Sequence, residues 1–209
     1  VAINPAFQDV LVLYQVGSDL FLSTYQNELL VDAPPALASA SSITYTENDS
    51  PTAIASGVTV TDTDNSTLFR ATVSITNYVS SQDALAFTNN GSTMGNITAS
   101  FNSSTGVLSL RSNGMTATKA EWQAALRAVT YANSSDTPNT TSRSVDFVID
   151  DGTKLSSTLT STVAITAVND VPVAQTSSAT TNEDIPKTFV SSDFSFTDAE
   201  SNSLASVTV

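Results

Sequence analysis

The sequence predicts an all-β chain carrying one short helix, and three observations predict it. Apolar and polar residues alternate at period two, as in Arg70-Ala71-Thr72-Val73-Ser74-Ile75-Thr76, the pattern of a strand with one buried face. Clusters of turn-forming residues such as Gly17-Ser18-Asp19, Asn89-Asn90-Gly91 and Asp151-Gly152 separate these runs. The chain also repeats itself. Val31-Asp32-Ala33-Pro34-Pro35 aligns with Asn169-Asp170-Val171-Pro172-Val173 at an offset of 138 residues. Thr46-Glu47-Asn48-Asp49-Ser50-Pro51 is echoed by Thr181-Asn182-Glu183-Asp184-Ile185-Pro186, and Val58 to Val73 by Phe194 to Val209 at an offset of 136. Self-similarity at a fixed period divides the chain into a tail (1–31), a whole module (32–170) and the head of another (171–209). Because the head stops inside a β-patterned run, the chain reads as cut from something longer.

Taken in order, Asp9 to Tyr14, Leu20 to Tyr25 and Glu28 to Val31 read as three short strands that close a preceding domain or dock on the module. Within the module, strands are expected at Ser42 to Thr46, Val58 to Thr61, Arg70 to Thr76 and Leu85 to Thr88. Asn90-Gly91 is the signal of a two-residue hairpin, and Asn102-Ser103-Ser104-Thr105 joins strands at Asn96 to Phe101 and Gly106 to Leu110. Thr118-Lys119-Ala120-Glu121 has the spacing of a capping box, in which hydroxyl and carboxylate satisfy each other's backbone donors. Trp122, Ala125, Leu126 and Val129 follow at helical spacing, so a short helix lays its apolar side on the sheets. Val129-Thr130-Tyr131 resumes a strand, and Ser144 to Ile149 pairs with Leu159 to Ala167.

Seven basic against twenty acidic residues give a net charge of −13, which argues against nucleic acid and anionic membrane as partners, since both select Lys and Arg. The chain has no Cys and no His, so disulfides, the usual zinc sites and His-based triads are excluded. No apolar run approaches the ~20 residues of a membrane span. The counterpart of the charge is a cation. Asn169 and Asp170 place oxygen donors at the joint between modules, and Asp62-Thr63-Asp64, repeated as Asp198-Ala199-Glu200, puts two carboxylates on one side of an extended segment. Glu47 and Glu183 open equivalent segments, and Asp150-Asp151-Gly152 offers another pair. Such oxygen sets suit Ca²⁺, which takes six to eight. The candidate ligands are therefore Glu47, Asp62, Asp64, Asp151, Asn169, Asp170, Asp198 and Glu200. Of these, Glu47, Asp151, Asn169, Asp170, Asp198 and Glu200 are expected to converge on Ca²⁺ at the joint between module and head.

Tyr45-Thr46-Glu47-Asn48-Asp49, Val60-Thr61-Asp62-Thr63-Asp64, Ala71 to Tyr78, Gly106 to Leu110, Trp122 to Tyr131, Asp150-Asp151-Gly152 and Ala167 to Pro172 together resemble the bacterial cadherin-like repeats of large surface adhesins. They are also similar to chondroitin sulphate proteoglycan repeats. The likeness covers 32–170 and reappears in 171–209. It implies a Greek-key β-sandwich of cadherin or Ig-like type, with modules stacked end to end, and it matches Glu47, Asn169, Asp170, Asp198 and Glu200 to cadherin ligand positions. Ala167 and Val171 stand where the cadherin linker has an aspartate and an asparagine, which implies fewer or weaker ions. The function expected is structural and adhesive: a Ca²⁺-stiffened stalk or filament segment at the cell surface, partnered by neighbouring repeats or fibre contacts. The alternative is a carbohydrate-binding accessory module of a secreted enzyme, a glycan partner for which the sequence offers no aromatic row. Enzymatic activity is not expected, because the acidic pairs lie at joints and turns.

Overall fold

A computed structural model describes residues 2–3, 9–16, 18–26 and 32–207, which divide into two compact units, Val1–Ala33 and Pro34–Val209. In the first, β1 (Ala2–Ile3), β2 (Asp9–Val16) and β3 (Asp19–Gln26) form an antiparallel sheet in that order. The long pair runs in register from Asp9 opposite Gln26 to Val16 opposite Asp19. The strand expected at Glu28 to Val31 lies outside the described residues.

The second unit is a β-sandwich. Its strands are β4 (Ala36–Ala38), β5 (Ser42–Thr46), β6 (Thr52–Ala53), β7 (Thr59–Thr61), β8 (Arg70–Ile75), β9 (Asp83–Ala86), β10 (Ile97–Asn102) and β11 (Val107–Ser112). After helix α1 (Lys119–Arg127) come β12 (Thr130–Asn133), β13 (Arg143–Asp150), β14 (Leu159–Thr166), β15 (Val173–Ala174) and β16 (Phe196–Thr197). One layer is a six-stranded sheet in the order β10-β11-β8-β13-β14-β5. Facing it are the sheet β6-β12-β9, the pair β4-β7 and α1. Alternation decides which side of each strand is dry: in β8 Ala71, Val73 and Ile75 are buried and Arg70 and Thr72 exposed, and in β13 Val145, Phe147 and Ile149 point inward.

Strand β5 pairs with β14 in parallel, Ile43 opposite Val163 and Tyr45 opposite Ile165. Both strands therefore leave the sheet at one end, which carries Glu47 and Val168 to the same place.

Helix α1 begins as its sequence requires. Thr118 accepts the Glu121 N–H, and Glu121 accepts the Thr118 N–H at 2.7 Å. Trp122, Ala125 and Leu126 are fully buried, and the Trp122 indole N–H donates to the Leu68 carbonyl at 3.1 Å, satisfying its polar atom within the core. Side chains on the helix also serve β7 and the residue before it: Gln123 Oε1 accepts the Val60 N–H at 3.2 Å, and Arg127 Nε donates to the Val58 carbonyl at 2.8 Å.

A polar cluster is buried at the edge of this core. Asp83 pairs with Arg143 at 2.7 Å and accepts the Tyr131 hydroxyl at 2.6 Å. Burial first, and the bond to Asp83 second, push the Tyr131 phenol above its ordinary pKa.

Two expectations are corrected. Asn90-Gly91 makes no two-residue hairpin, because β9 pairs with β12 while β10 belongs to the other layer. Asn90 Oδ1 instead accepts the N–H groups of Ser92 and Thr93, making a side-chain turn within a longer crossover loop. The repeat of the β7 to β8 geometry is also incomplete. β16 and its acidic turn form, but residues 201–207 carry no strand; β8 is held between β11 and β13, and no strand flanks 201–207 among the described residues.

Some local features lie about 136 residues apart. Ala36 opposite Thr61 has a counterpart in Val173 opposite Thr197, 137 and 136 residues on. The Asp49 N–H donates to the Thr46 carbonyl and the Ile185 N–H to the Asn182 carbonyl. Asn48 and Asp184 both take positive φ, 67° and 60°. Tyr45 and Thr181 hydroxyls donate to the carbonyls of Asp49 and Ile185.

Candidate metal centre

Three elements end where β5 and β14 leave the sheet. Glu47 follows β5, and its N–H donates to the Thr166 carbonyl at 2.8 Å, extending the parallel ladder by one residue. Its Oε2 accepts the Val168 N–H at 2.8 Å, while Oε1 is buried without a partner. Asp170 follows β14. Asp136 lies in the loop after β12, and the Tyr45 hydroxyl, donating to the Asp49 carbonyl at 2.7 Å and the Asn133 carbonyl at 3.2 Å, ties that loop to the Glu47 turn. One carboxylate oxygen from each of Glu47, Asp136 and Asp170 lies within 4.8 Å of the others.

The segment after β16 closes on the same place. The Asp170 N–H donates to Glu200 Oε2 at 3.2 Å, and Glu200 Oε1 is left without a partner. Asp198 Oδ1 accepts the Asn202 N–H at 2.8 Å, and Asn202 Nδ2 donates to Asn169 Oδ1 at 2.9 Å. A cleft of about 480 Å³ opens here, lined by Asn48, Asp136, Asp170 and Asp198 among others.

Electrostatics at this end are unfavourable without a counter-charge. Partial burial raises the Asp170 pKa, and Glu200, Glu47, Asp136 and Asp198 raise it further, because each neighbouring negative charge disfavours the next. Glu47 is only 5% exposed, and a buried carboxylate oxygen lacking any donor is costly unless something positive meets it. The group of three fits a metal ion on this ground: hard oxygens, one of them buried and unsatisfied, at separations one coordination shell spans.

The structure brings together Glu47, Asp170, Asp198 and Glu200 of the predicted ligands, with Asn169 beside them. Asn169 is exposed, and its Oδ1 is taken by Asn202. Asp151 does not join them. β13 runs antiparallel to β14, so Asp150 and Asp151 lie beyond the start of β14, at the opposite end of the sheet from Thr166. There Asp151 Oδ1 accepts the N–H groups of Thr153 and Lys154 and the Thr153 hydroxyl, each at 2.7 Å. Burial pushes the Asp151 carboxyl up, but these donors and the Lys154 charge together hold it below its ordinary value.

Asp62 and Asp64 also part from expectation. They stand in a turn, not an extended run: Asp62 is buried and its Oδ1 accepts the Asp64 and Asn65 N–H groups at 3.1 and 2.7 Å, while Asp64 is exposed. Their loop leads to Arg70, which lies opposite Asp150 in register, so they share the end that holds Asp151.

Asp136 was missed by sequence reasoning. It is a lone acid in a polar loop, without a partner at i+2 and without a second copy in the chain, and only the pairing of β12 with β9 and β6 fixes where that loop emerges. No protein-family model matches the chain, and no curated protein matches it.

Proposed function

We propose that this chain is a segment of an extracellular structural stalk or filament, in which tandem cadherin-like modules are stiffened at their joints by Ca²⁺. The observation that carries this reading is the acidic end of the sandwich. Carboxylates from Glu47, Asp136 and Asp170 meet those of Asp198 and Glu200 where the chain passes from β14 into β15, with the Glu47 oxygen buried and unpartnered. Ca²⁺ supplies the missing charge and accepts irregular oxygen sets of this kind. A turn and a positive φ that recur at 136 residues, with a strand pairing that recurs at 136 to 137, support reading 171–207 as the opening of a second module. A cation joining ligands from both would fix their relative orientation, and a row of such joints makes a rod.

Calorimetric titration with Ca²⁺, and small-angle scattering in Ca²⁺ and in EDTA, test the proposal. Saturable binding and a maximum dimension that changes on chelation are expected. Unchanged scattering and an unchanged melting temperature would leave the acids as a solvated face and remove the stiffening mechanism. Among the described tyrosine and tryptophan side chains none favours the glycan-binding alternative: Tyr45, Tyr131 and Trp122 are buried, and Tyr78 packs edge-on against Phe101.

A further inference from the structure

We propose that Gln82 is a positioning residue for the cation site, acting through the loop that carries Asp136. The proposal rests on the reading of Glu47, Asp136 and Asp170 as that site, to which the buried, unpartnered Oε1 of Glu47 independently points. Asp136 is the most exposed of the three and stands in an irregular stretch between β12 and β13. A ligand on such a loop binds well only if the loop is already in place, because ordering it would otherwise oppose binding.

Gln82 grips the loop on both sides of Asp136. Before it, the Ser134 N–H donates to the Gln82 carbonyl at 3.0 Å, and Gln82 Nε2 donates to Ser135 Oγ at 3.2 Å. After it, Gln82 Nε2 makes a long 3.5 Å contact with the Thr137 carbonyl, and Gln82 Oε1 accepts the Asn139 N–H at 2.9 Å. One amide thus stands in for the regular backbone pairing that 134–139 lacks.

The grip has a rigid base. The Gln82 N–H donates to the Val79 carbonyl at 3.0 Å, and the next residue is Asp83, whose carboxylate is buried against Arg143, Tyr131 and the Val79 N–H. The loop's position is therefore referred to the core, and Asp136 inherits it. The amide touches no carboxylate of the group, so its influence runs only through loop geometry.

The test is Ca²⁺ titration calorimetry on the full chain as wild type, Gln82→Ala, Asp136→Asn and the double variant, with melting temperatures in EDTA. Gln82→Ala should weaken Ca²⁺ affinity about tenfold, the lower end of what outer-shell supports contribute, and should leave the EDTA melting temperature nearly unchanged. The double variant should bind no more weakly than Asp136→Asn alone, since the amide has nothing left to position. Asn139→Pro deletes the N–H that Gln82 Oε1 accepts and also the Asn139 Oδ1 that accepts the Thr141 N–H, so it is read against Asn139→Ala, which loses only the second. Relative to Asn139→Ala it should weaken binding in the same direction by less than Gln82→Ala does, and it carries the test if Gln82→Ala fails to fold. A wild type that takes up no Ca²⁺ overturns the site itself and the proposal with it. Wild-type binding with unchanged affinity in Gln82→Ala, or additive losses in the double variant, overturns the role of Gln82 alone.

Discussion

Where β7 passes towards β8, Asp62 and Asp151 each commit one carboxylate oxygen to N–H groups of their own turns; where β14 passes into β15, Glu47, Asp136, Asp170, Asp198 and Glu200 come from separate stretches of chain and face one another. The same residue type thus has two fates in one sandwich. At the first end the donors lie two or three residues away, so the fold compensates Oδ1 of each acid locally while Oδ2 of Asp62 and of Asp151 stays buried without a partner, and the Asp151 carboxyl is held below its ordinary range. At the second end Glu47, Glu200 and Asp198 each accept one backbone N–H, but other carboxylates crowd around Asp170, and its pKa is pushed up. Acid content alone does not set how a carboxylate titrates. Backbone donors lower Asp151, and neighbouring carboxylates raise Asp170.

The core lies between the two ends and should respond to neither. Trp122→Ala removes the largest fully buried side chain and strands the Leu68 carbonyl; a loss of about 3–5 kcal/mol is expected, equal in Ca²⁺ and in EDTA by chemical denaturation. A loss that depends on Ca²⁺ would mean that the core and the junction are coupled.

Next in size is the ion itself. Ca²⁺ at a hundred times its dissociation constant should raise stability by about 2.7 kcal/mol if it binds only the folded chain, and Asp170→Asn should reduce that gain sharply. The comparison is sharpened at the other end by Asp151→Ala. Removing three hydrogen bonds from a buried turn should cost about 1–3 kcal/mol, and the cost should be the same in Ca²⁺ and in EDTA. A Ca²⁺-dependent cost would show that the unpartnered Oδ2 atoms of Asp62 and Asp151 meet an ion there too.

The difference between the ends also marks what was legible in the sequence. Strand positions, the capping box before Trp122 and the turn at Asn102 to Thr105 were readable because each is a local pattern of period, cap or turn residue. The partners of the strands were not. The parallel pairing of β5 with β14 is long-range, and it alone places Glu47 beside Val168. Asp151 was assigned to the wrong end for the same reason: the sequence shows a D-G turn, but which end of the sandwich that turn occupies depends on the direction of β13 in the sheet. The Asp62-x-Asp64 spacing misled because the Asp62 carboxylate accepts the N–H groups of Asp64 and Asn65, which breaks the extended geometry on which the same-side argument relied.

The smallest effect is one of sign, read in pH. Asp170 has a raised pKa in the folded chain, so above the ordinary aspartate value of about 3.9 the folded state holds the proton more tightly than the unfolded one. Its contribution to stability therefore falls as pH rises through that window. Asp151 has a lowered pKa, so the unfolded state binds the proton more tightly below the ordinary value, and stability is lost as pH falls through that lower window. In EDTA, acidification from neutrality towards the ordinary aspartate range should tighten the junction while leaving the Asp151 turn intact; only further acidification should loosen the turn. Protection factors for the Val168 and Asp170 amides, which donate to Glu47 and Glu200, report the junction, and those of Thr153 and Lys154 report the turn. In Ca²⁺ the junction's dependence should reverse, since protons then compete with the ion for the carboxylates. Asp170→Asn should flatten the EDTA profile at the junction without altering that of the turn. If all four amides follow one pH profile in EDTA, the ends do not differ, and convergence of the acids has no energetic consequence.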